Sequence, residues 1–385
     1  MRIGINIRSA NLGIPDGHGE SMRGLISALA ETSSNHKLDL LSDAKLRFAL
    51  SPSATSQIRV LRPFPVGNRM LQRLLVADPW YRGRVAAEAL WRRWDVYVQS
   101  AHEPPPVFGV RARVAIVHDL AFIHPQAAVN FDPATINTLD RWTAHNVHAA
   151  TALVAVSNTV AQNIIHTYGI PPTTVITAHH GVDHTRFHPN HDKAAVAACR
   201  ERHKINCDYV LFVGTVQPRK NLPCLVEATE KARVRGLGAT LIVAGADGWR
   251  STQSFESIER SGSEVARYIG QVGVKDLPLL IAGARAFVSV ARDEGFGMPA
   301  LEAMASGVPV VVANEAGLAE VVDDAGLMVN PSDTGAIADA LLRITEDETL
   351  RADMIVRGLE RAREFTWKAA AGNVWVAIEQ ACASF

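Results

Sequence analysis

Two glutamates lie eight residues apart in residues 293–312, the stretch whose residue types most clearly suggest chemistry. Glu294 stands at a tight turn predicted by two glycines and Pro299, and Glu302 lies in the helix-forming sequence that follows. A helix that begins at such a turn presents unpaired backbone N–H groups, which bind anions. Carboxylates beside an anion site suit sugar hydroxyls better than phosphate. The pattern fits a nucleotide sugar, although a Gly-Pro turn before a helix also occurs in α/β proteins of other functions.

Two adjacent cations, Arg219 and Lys220, lie in a loop that follows the apolar run beginning at Tyr209. Cations in a loop after a strand are well placed to bind a diphosphate. They stabilise the negative charge that a diphosphate gains when it leaves, and this stabilisation is greatest in the transition state. Two basic loop residues taken alone are also commonly no more than solvated charges.

His118 follows the strand-like run at residues 114–117, and the carboxyl ends of strands are where α/β proteins place their active groups. Its neighbour Asp119 could orient the imidazole or bind a hydroxyl group. A second loop, around His18, lies between the opening strand and the helical pattern at residues 22–30. That loop lacks the G-x-G-x-x-G spacing, so by itself it is weak support for a ligand site.

Neither the histidines nor the cysteines have the spacing of metal ligands. Three histidines cluster in sequence, at positions 179, 180 and 184, without a helical pair followed by a third ligand. The four cysteines, at positions 199, 207, 224 and 382, form no C-x-x-C pair. We therefore expect no metal ion and no disulfide, but reduced thiols in a cytoplasmic protein.

A chain of 385 residues is long enough for two domains. Strand and helix patterns alternate through residues 1–190 and begin again at residue 209, after a polar segment at 190–208 that we interpret as a linker. The expected domains are therefore 1–190 and 191–365. The sequence predicts amphipathic helix at 334–365 and a last helix at 367–382. The chain opens on a strand and has no apolar run of about 18 residues, so we expect a cytoplasmic location.

The 39 basic and 39 acidic residues cancel, so no overall charge favours nucleic acid. Arginines are nevertheless concentrated among aromatic and aliphatic residues at positions 58–94. This block suits anionic lipid head groups or a lipid-linked diphosphate. A solvated helix face is the alternative, and a nucleic-acid surface is less favoured because no binding motif accompanies it. The arginines are Arg59, Arg62, Arg69, Arg73, Arg82, Arg84, Arg92 and Arg93.

The complete motif Glu-Gly-Phe-Gly-Met-Pro at 294–299, with the second glutamate at 302, closely resembles the Glu-x7-Glu signature of retaining GT-B glycosyltransferases, in particular glycosyltransferase family four. Residues 117–125 and 218–221 are similar to segments of its mannosyltransferases. The resemblance covers nearly the whole chain and is strongest at 209–330. It implies an α/β GT-B fold of two Rossmann-like domains with parallel sheets facing a central cleft. The last helix, at about 366–385, would pack back on the first domain.

The resemblance implies that a sugar is transferred with retention of configuration to a hydroxyl group, in the synthesis of a cell-surface polysaccharide or other glycan. GDP-mannose is the first choice of donor, and UDP-glucose or a UDP-N-acetylhexosamine is the second. The acceptor would be a saccharide, with a polyprenyl-diphosphate-linked one favoured. No acidic D-x-D motif is present, so we expect a metal-independent enzyme without a cofactor. A nucleotide-sugar epimerase or hydrolase and a non-catalytic nucleotide-sugar-binding protein remain the alternatives.

The residues and the resemblance together give a predicted site. Its catalytic residues are His118, Glu294, Arg219 and Lys220. Acceptor contacts are predicted for His18 and Asp119. Donor contacts, many of them through the backbone, are predicted for Gly19, Gly214, Gln271, Val272, Gly295, Phe296, Gly297, Met298, Glu302 and Gly317.

Overall fold

A computed structural model describes residues 1–10, 17–33, 36–42, 46, 48, 50, 58–61, 78–106, 110–123 and 131–383. The chain divides into two compact units. Unit 1 comprises Met1–Phe122, Asp132–Gly181 and Trp367–Phe385, and unit 2 comprises Ile123–Phe131 and Val182–Thr366. The boundary between the units therefore precedes the predicted position at 190/191.

Unit 1 contains a parallel sheet of seven strands among the described residues, in the order β3-β2-β1-β4-β5-β6-β7. Strands buried on both faces are nearly continuous apolar runs, which is why they are recognisable in the sequence. The order reverses between β1 and β4, and such a switch point is where doubly wound sheets bind ligands. The strands are β1 (Arg2–Asn6), β2 (Lys37–Leu41), β3 (Ile58–Leu61), β4 (Val96–Ser100), β5 (Ala112–Val117), β6 (Ala152–Ala155) and β7 (Val175–Thr177).

In the part of unit 1 that the structure describes, four helices lie between these strands. Two of them begin at side-chain caps, because Asp132 accepts a hydrogen bond from Thr135 N and Ser157 accepts one from Val160 N. The helices are α1 (Gly17–Thr32), α2 (Asp78–Arg92), α3 (Pro133–Ala149) and α4 (Asn158–Tyr168).

Unit 2 repeats the plan with a parallel sheet in the order β10-β9-β8-β11-β12-β13. The switch point here lies between β8 and β11. The core is formed by strand residues such as Phe212 and Val243, which pack with helix residues such as Leu225 and Ile337. The strands are β8 (Tyr209–Val213), β9 (Thr240–Ala244), β10 (Ala266–Gly270), β11 (Ala286–Ser289), β12 (Val310–Ala313) and β13 (Leu327–Val329).

The helices of unit 2 correct two predictions. Helix α5 occupies the segment that its polar composition suggested to be a linker, because Asp192 caps it and Cys199 is buried on its inner face. The predicted helix at 334–365 is two helices, since Asp347 ends one and its side chain caps the next. The helices are α5 (Lys193–Arg202), α6 (Leu222–Val234), α7 (Thr252–Ser261), α8 (Leu277–Ala282), α9 (Met298–Ala305), α10 (Ala316–Val322), α11 (Thr334–Glu346) and α12 (Glu348–Glu364).

The last helix, α13 (Trp367–Ala383), belongs to unit 1. Its face of small and aliphatic residues is fully buried, and Trp375 Nε1 donates to Thr32 Oγ1 at 2.8 Å. The Trp367 ring lies against α1 where a Cβ atom at Gly24 would be only 2.2 Å away. Packing of this helix on the first unit is therefore as expected. Among the described residues, no helix is both long enough and apolar enough to cross a membrane.

Candidate functional site

Arg219, Lys220 and Glu294 form a compact cluster in unit 2, which we name the cation cluster. The two cations follow β8 and the carboxylate follows β11, the two strands that flank the switch point. Arg219 Nη1 lies 3.2 Å from Glu294 Oε2, and Lys220 Nζ contacts Glu294 Oε1. All three side chains are largely buried, with exposed fractions of 17%, 9% and 13%.

The charge state of the cluster follows from these contacts. Burial alone would raise the pKa of Glu294, but attraction to Lys220 and Arg219 outweighs burial and lowers the pKa to about 2. The carboxylate is therefore ionised at neutral pH. With two cations and one anion, the cluster carries a net positive charge that suits an anionic ligand. The sequence predicted the cations and the carboxylate separately, and did not predict that they pair.

A short turn fixes the position of the two cations. Residues Pro218–Lys220 form a 3₁₀ turn that ends at Asn221, whose φ of +59° is left-handed. Asparagine tolerates this conformation better than most residues. Its buried side-chain amide also donates to Val290 O at 3.2 Å and to Pro331 O at 2.6 Å. Asn221 is therefore a positioning residue that the sequence analysis missed, although it lies directly after the cations.

The loop after β9 supports the loop that begins at Gly214. A Cβ atom at Gly245 would lie 1.9 Å from the carbonyl oxygen of Gly214, so only glycine fits. Gly214 N in turn donates to Ala244 O at 2.9 Å. The two backbones thus lie in direct contact beside the cations. Gly245 was not among the predicted site residues, and its place directly after a buried strand is the signal that could have found it.

The turn at 293–297 is held by its neighbours rather than by its own side chains. Gly297 has a φ of +100° and is the N-cap of α9, so Met298 is the first residue of that helix. A Cβ atom at Gly317 would lie 2.4 Å from Gly295 O, and Gly317 N donates to Glu294 O at 3.0 Å. The N–H of Gly317 therefore has a backbone partner. Helix α10 packs closely on this turn, and the donor contact of Gly317 remains a prediction.

The remaining predicted donor residues differ in their exposure. Gln271 and Val272 follow β10, and the first is exposed while the second is half-buried. Glu302 lies in the second turn of α9 and is half-buried. The Phe296 side chain is 4% exposed and packs edge-on against the Phe365 ring. The Phe296 side chain is therefore part of the packing of unit 2.

Four histidines of unit 1 lie close together, and we name His18, His102, His118 and His180 the histidine cluster. His102, His118 and His180 follow β4, β5 and β7, and His18 lies in the first turn of α1. The ring centroids of His18 and His118 are 3.9 Å apart, and those of His118 and His180 are 5.7 Å apart. His18 and Gly19 are helical, which corrects the prediction of a loop before residue 22. The first N–H groups of a helix need no intrahelical acceptor, so glycines are tolerated there.

Burial favours the uncharged form of three rings in the histidine cluster, those of His102, His118 and His180. Burial, reinforced by the neighbouring imidazoles, lowers the pKa of His118 well below its usual value. Burial, together with the neighbouring imidazoles of His18 and His179, lowers the pKa of His180 to about 3. Nε2 of His118 and Nε2 of His102 are buried without a hydrogen-bond partner among the described residues. Each neutral ring can therefore still donate or accept one hydrogen bond with a ligand.

Asp119 does not orient His118 within the described structure. Its carboxylate accepts a hydrogen bond from Ala121 N at 3.2 Å, and its charge acts on His102 by offsetting part of the pKa lowering caused by burial. His102 Nδ1 lies 3.0 Å from Thr143 Oγ1. His102 was not among the predicted site residues, and His180 was considered only as a metal ligand and rejected. Both stand at strand ends, the criterion that selected His118.

Most of the arginine block lies outside the described side chains, including Arg62, Arg69, Arg73, Arg82 and Arg84. Arg92 is paired within unit 1, with Glu88 and at 3.8 Å with Asp39. Trp91 and Leu90 are 88% and 71% exposed, and Arg93 beside them is also exposed. The end of α2 therefore presents an apolar surface next to a cation.

Two Rossmann-like units, with paired cations at the switch point of the second, define an α/β protein with two doubly wound parallel sheets. Residues 15–186 match the family described as Glycosyltransferase Family 4, and residues 200–361 match Glycosyl transferases group 1. The chain belongs to the group 1 glycosyltransferases, and its fold is the GT-B fold of that family.

Similar proteins include O-antigen chain mannosyltransferase B of Escherichia coli, which is 31% identical over 265 residues, or 66% of this chain and 67% of that protein. D-inositol 3-phosphate glycosyltransferase of Nocardioides is 32% identical over 239 residues, and the match spans 58% of this chain and 52% of that protein. Among solved structures, Anabaena Alr3699/HepE in complex with UDP and glucose superposes with a TM-score of 0.71. It is 18% identical, covering 98% of this chain and 99% of that one, and so supports the fold alone.

Proposed function

We propose that this glycosyltransferase transfers a hexose from a nucleoside diphosphate sugar to a hydroxyl group of a saccharide acceptor. The cation cluster carries the proposal. Its two cations share one buried carboxylate and retain a net positive charge at the edge where doubly wound sheets bind ligands. A diphosphate matches that charge, and it is the group on which negative charge develops during transfer.

The proposed reaction breaks the bond between the anomeric carbon and the diphosphate oxygen. The electron pair of that bond goes to the diphosphate, where Arg219 and Lys220 stabilise it. The acceptor oxygen forms the new bond to the same carbon with retention of configuration, and its proton passes to a phosphate oxygen of the departing diphosphate. Because the nucleoside diphosphate is already a good leaving group, a separate strong acid is not required.

For the other predicted residues we propose contacts with the donor. Glu294 accepts hydrogen bonds from sugar hydroxyls while it holds the two cations, and Glu302 does so from the ribose. His118 contacts the sugar near its reacting carbon, for which its uncharged, buried ring retains a free Nε2. The two cations take the place of a catalytic metal ion, so transfer proceeds without one.

GDP-mannose is the donor that we place first, supported by the similarity to a mannosyltransferase over two thirds of that protein. A UDP-sugar is second, supported by the fold shared with a protein that binds UDP and glucose. We propose a lipid-linked saccharide as acceptor, used in the synthesis of a cell-surface polysaccharide at the cytoplasmic face of the membrane. The exposed Trp91, Leu90 and Arg93 support contact with an anionic membrane.

Replacing Lys220 with alanine tests the role of the cation cluster. We expect kcat to fall by about 10²- to 10³-fold, as when one group that stabilises developing charge is removed. Lys231→Ala is the matched control, because Lys231 is 49% exposed and pairs with Glu227 on α6. Unchanged transfer by Lys220→Ala, in protein that remains folded, would contradict the catalytic assignment.

A panel of GDP- and UDP-sugars, scored first by thermal stabilisation and then by product, identifies the donor. Transfer predicts that sugar appears on the acceptor and that nucleoside diphosphate is released in equal amount. Conversion of the donor at the same rate without acceptor would identify an epimerase or hydrolase instead. Binding without turnover for every donor and acceptor pair would favour a non-catalytic binding protein.

Membrane contact is tested by sedimentation with anionic liposomes at increasing salt. Binding should weaken as salt rises, because the attraction to lipid head groups is screened. Trp91→Ser should weaken liposome binding further. Val376→Ser should not, because Val376 is 51% exposed on α13 and does not belong to the surface formed by Leu90, Trp91 and Arg93. Binding that changes neither with salt nor with Trp91→Ser would contradict the proposed membrane contact.

A further inference from the structure

Three potential metal ligands meet where α5 approaches α8 in unit 2. Cys199 lies on α5 and His203 is the C-cap of that helix, four residues later, so both side chains lie on one face. Asp276 directly precedes α8. One ligand atom from each residue lies within 4.8 Å of the other two. The closest pair is His203 Nε2 and Asp276 Oδ2, at 3.0 Å.

These separations are close to those around a tetrahedral zinc ion. Bonds of about 2.0–2.3 Å from such an ion to nitrogen, oxygen and sulfur place its ligand atoms about 3.3–3.6 Å apart. The imidazole and carboxylate, now 3.0 Å apart, need to separate only slightly. The sulfur needs to approach by about 1 Å at most. Side-chain rotation of this size requires no rearrangement of the two helices.

Charge and surroundings also suit a divalent ion. A cysteine thiolate and an aspartate carboxylate supply two negative charges, one of which Arg202 already pairs with, and histidine contributes a neutral ligand. Arg202 Nη2 donates to Asp276 Oδ1 at 2.7 Å, so the second carboxylate oxygen is oriented toward His203. The backbone oxygen of His203 accepts from Arg267 Nη2 at 3.1 Å. Such outer contacts orient metal ligands and strengthen binding.

Burial divides the cluster into a closed side and an open side. Cys199 is fully buried, whereas the side chains of His203 and Asp276 are 18% and 24% exposed. An ion can therefore reach the cluster from solvent, and water can supply a fourth ligand. The contacts of Asp276 with Arg202 and His203 would also exist as a plain ion-pair network. Cys199 distinguishes the two interpretations, because a thiol adds little to ion pairs and is a strong ligand for zinc.

We propose that Cys199, His203 and Asp276 bind a divalent transition-metal ion of the zinc class, which joins α5 to α8. This replaces the expectation, drawn from sequence spacing, that the cysteines and histidines have no metal role. The third ligand comes from a distant part of the chain, which spacing alone does not reveal. The cluster shares no residue with the cation cluster, so the proposal does not depend on the proposed function and agrees with metal-independent transfer.

Cobalt(II) is the probe for the test, because a thiolate bound to it gives an intense charge-transfer absorption. The full chain is treated with a chelator, freed of it, and titrated with Co²⁺ alone. We expect saturation at one ion per chain with the thiolate absorption, followed by loss of this absorption when Zn²⁺ is added. Zinc should also raise the melting temperature by several degrees.

Cys199→Ser should abolish the absorption, whereas Cys207→Ser should keep it, since Cys207 lies eight residues away and outside the cluster. Because Cys199 is fully buried, its replacement could disturb folding. His203→Gln is therefore measured as well, as it retains a hydrogen-bond donor for Asp276. We expect it to weaken cobalt binding at least tenfold. The proposal is overturned if the wild-type chain shows no saturable thiolate absorption, or if both variants bind as tightly as wild type.

Discussion

Replacement of Glu294 with glutamine removes the negative charge that Arg219 and Lys220 share, while it keeps the size of the side chain. The two cations are then left close together in a largely buried place. Loss of one side of a buried ion pair is costly, and the repulsion between the two cations adds to that cost. We therefore expect the variant to fold with a less stable unit 2, not merely with lower activity.

The size of the effect follows from the pKa of the carboxyl group. A decrease from 4.5 to about 2 in the folded protein corresponds to about 3 kcal/mol of stabilisation by the charged form. Breaking a buried ion pair from one side costs about 3–5 kcal/mol, which agrees. For a unit of this size, about 3 kcal/mol lowers the melting temperature by roughly 6–12 °C.

The measurement is thermal unfolding at neutral pH, with Glu348→Gln as control. Glu348 makes an ion pair with Arg285 at 2.7 Å but is 70% exposed, so its loss should change the melting temperature little. A second readout is pH. Because the folded pKa of Glu294 is depressed, its stabilisation is present above pH 4.5 and is lost as the pH falls from there toward 2. The difference in melting temperature between wild type and Glu294→Gln should therefore become smaller below pH 4.5.

An equal melting temperature for wild type and Glu294→Gln at neutral pH would refute this reasoning, since the cations would then not depend on the carboxylate. Inorganic pyrophosphate provides a further check. It can replace the missing negative charge, so it should stabilise the variant at least as much as it stabilises wild type. Stabilisation of wild type alone would indicate that the cations have moved apart.

Three further predictions concern the supports of the two clusters. Gly245→Ala should lower the melting temperature because its Cβ would overlap the Gly214 carbonyl, whereas Gly372→Ala, with nothing within 4 Å in α13, should raise it slightly. Asn221→Ala should lower the free energy of unfolding, measured by chemical denaturation, by about 2–3 kcal/mol, because a buried amide is lost and alanine is less favourable at a left-handed position. Asn221→Gly should recover only the contribution of the backbone conformation. Because the pKa of His180 is lowered to about 3, the stabilisation contributed by its neutral ring is fully present above pH 6.5. This contribution decreases as the pH falls, by about 1 kcal/mol between pH 6.5 and 5.5. A variant His180→Asn should flatten that dependence, and an unaltered pH profile would show that the ring is not buried and neutral.

The central strands of unit 2, β8, β9, β11 and β12, were predictable because they are buried and are therefore apolar runs bounded by glycine or polar residues. Helix α5 was not, since its composition is that of a solvated segment. What makes it a helix is the cap from Asp192 and the burial of Cys199 against the segment around Asp276. That second contact spans 77 residues and has no local signature.

The candidate site was likewise predictable in its single residues but not in their pairing. Arg219 and Lys220 were found because they follow a strand directly, and His118 was found for the same reason. The pairing of Glu294 with the cations joins residues 74 and 75 positions apart, through the adjacency of β8 and β11 in the sheet. Local patterns select side chains at strand ends. Which of those ends are neighbours depends on strand order, which a single sequence does not supply.

The path of the chain also affects how the protein is made. Helix α13 packs on α1 and the sheet of unit 1, yet it is synthesised after all of unit 2. A growing chain can complete unit 2 while unit 1 still exposes the apolar surface that α13 will cover, including the place where Trp367 meets Gly24. Transiently exposed surface of this kind promotes aggregation during synthesis. Unit 1, although it leaves the ribosome first, is therefore the last to become complete and the one in greater need of protection by chaperones.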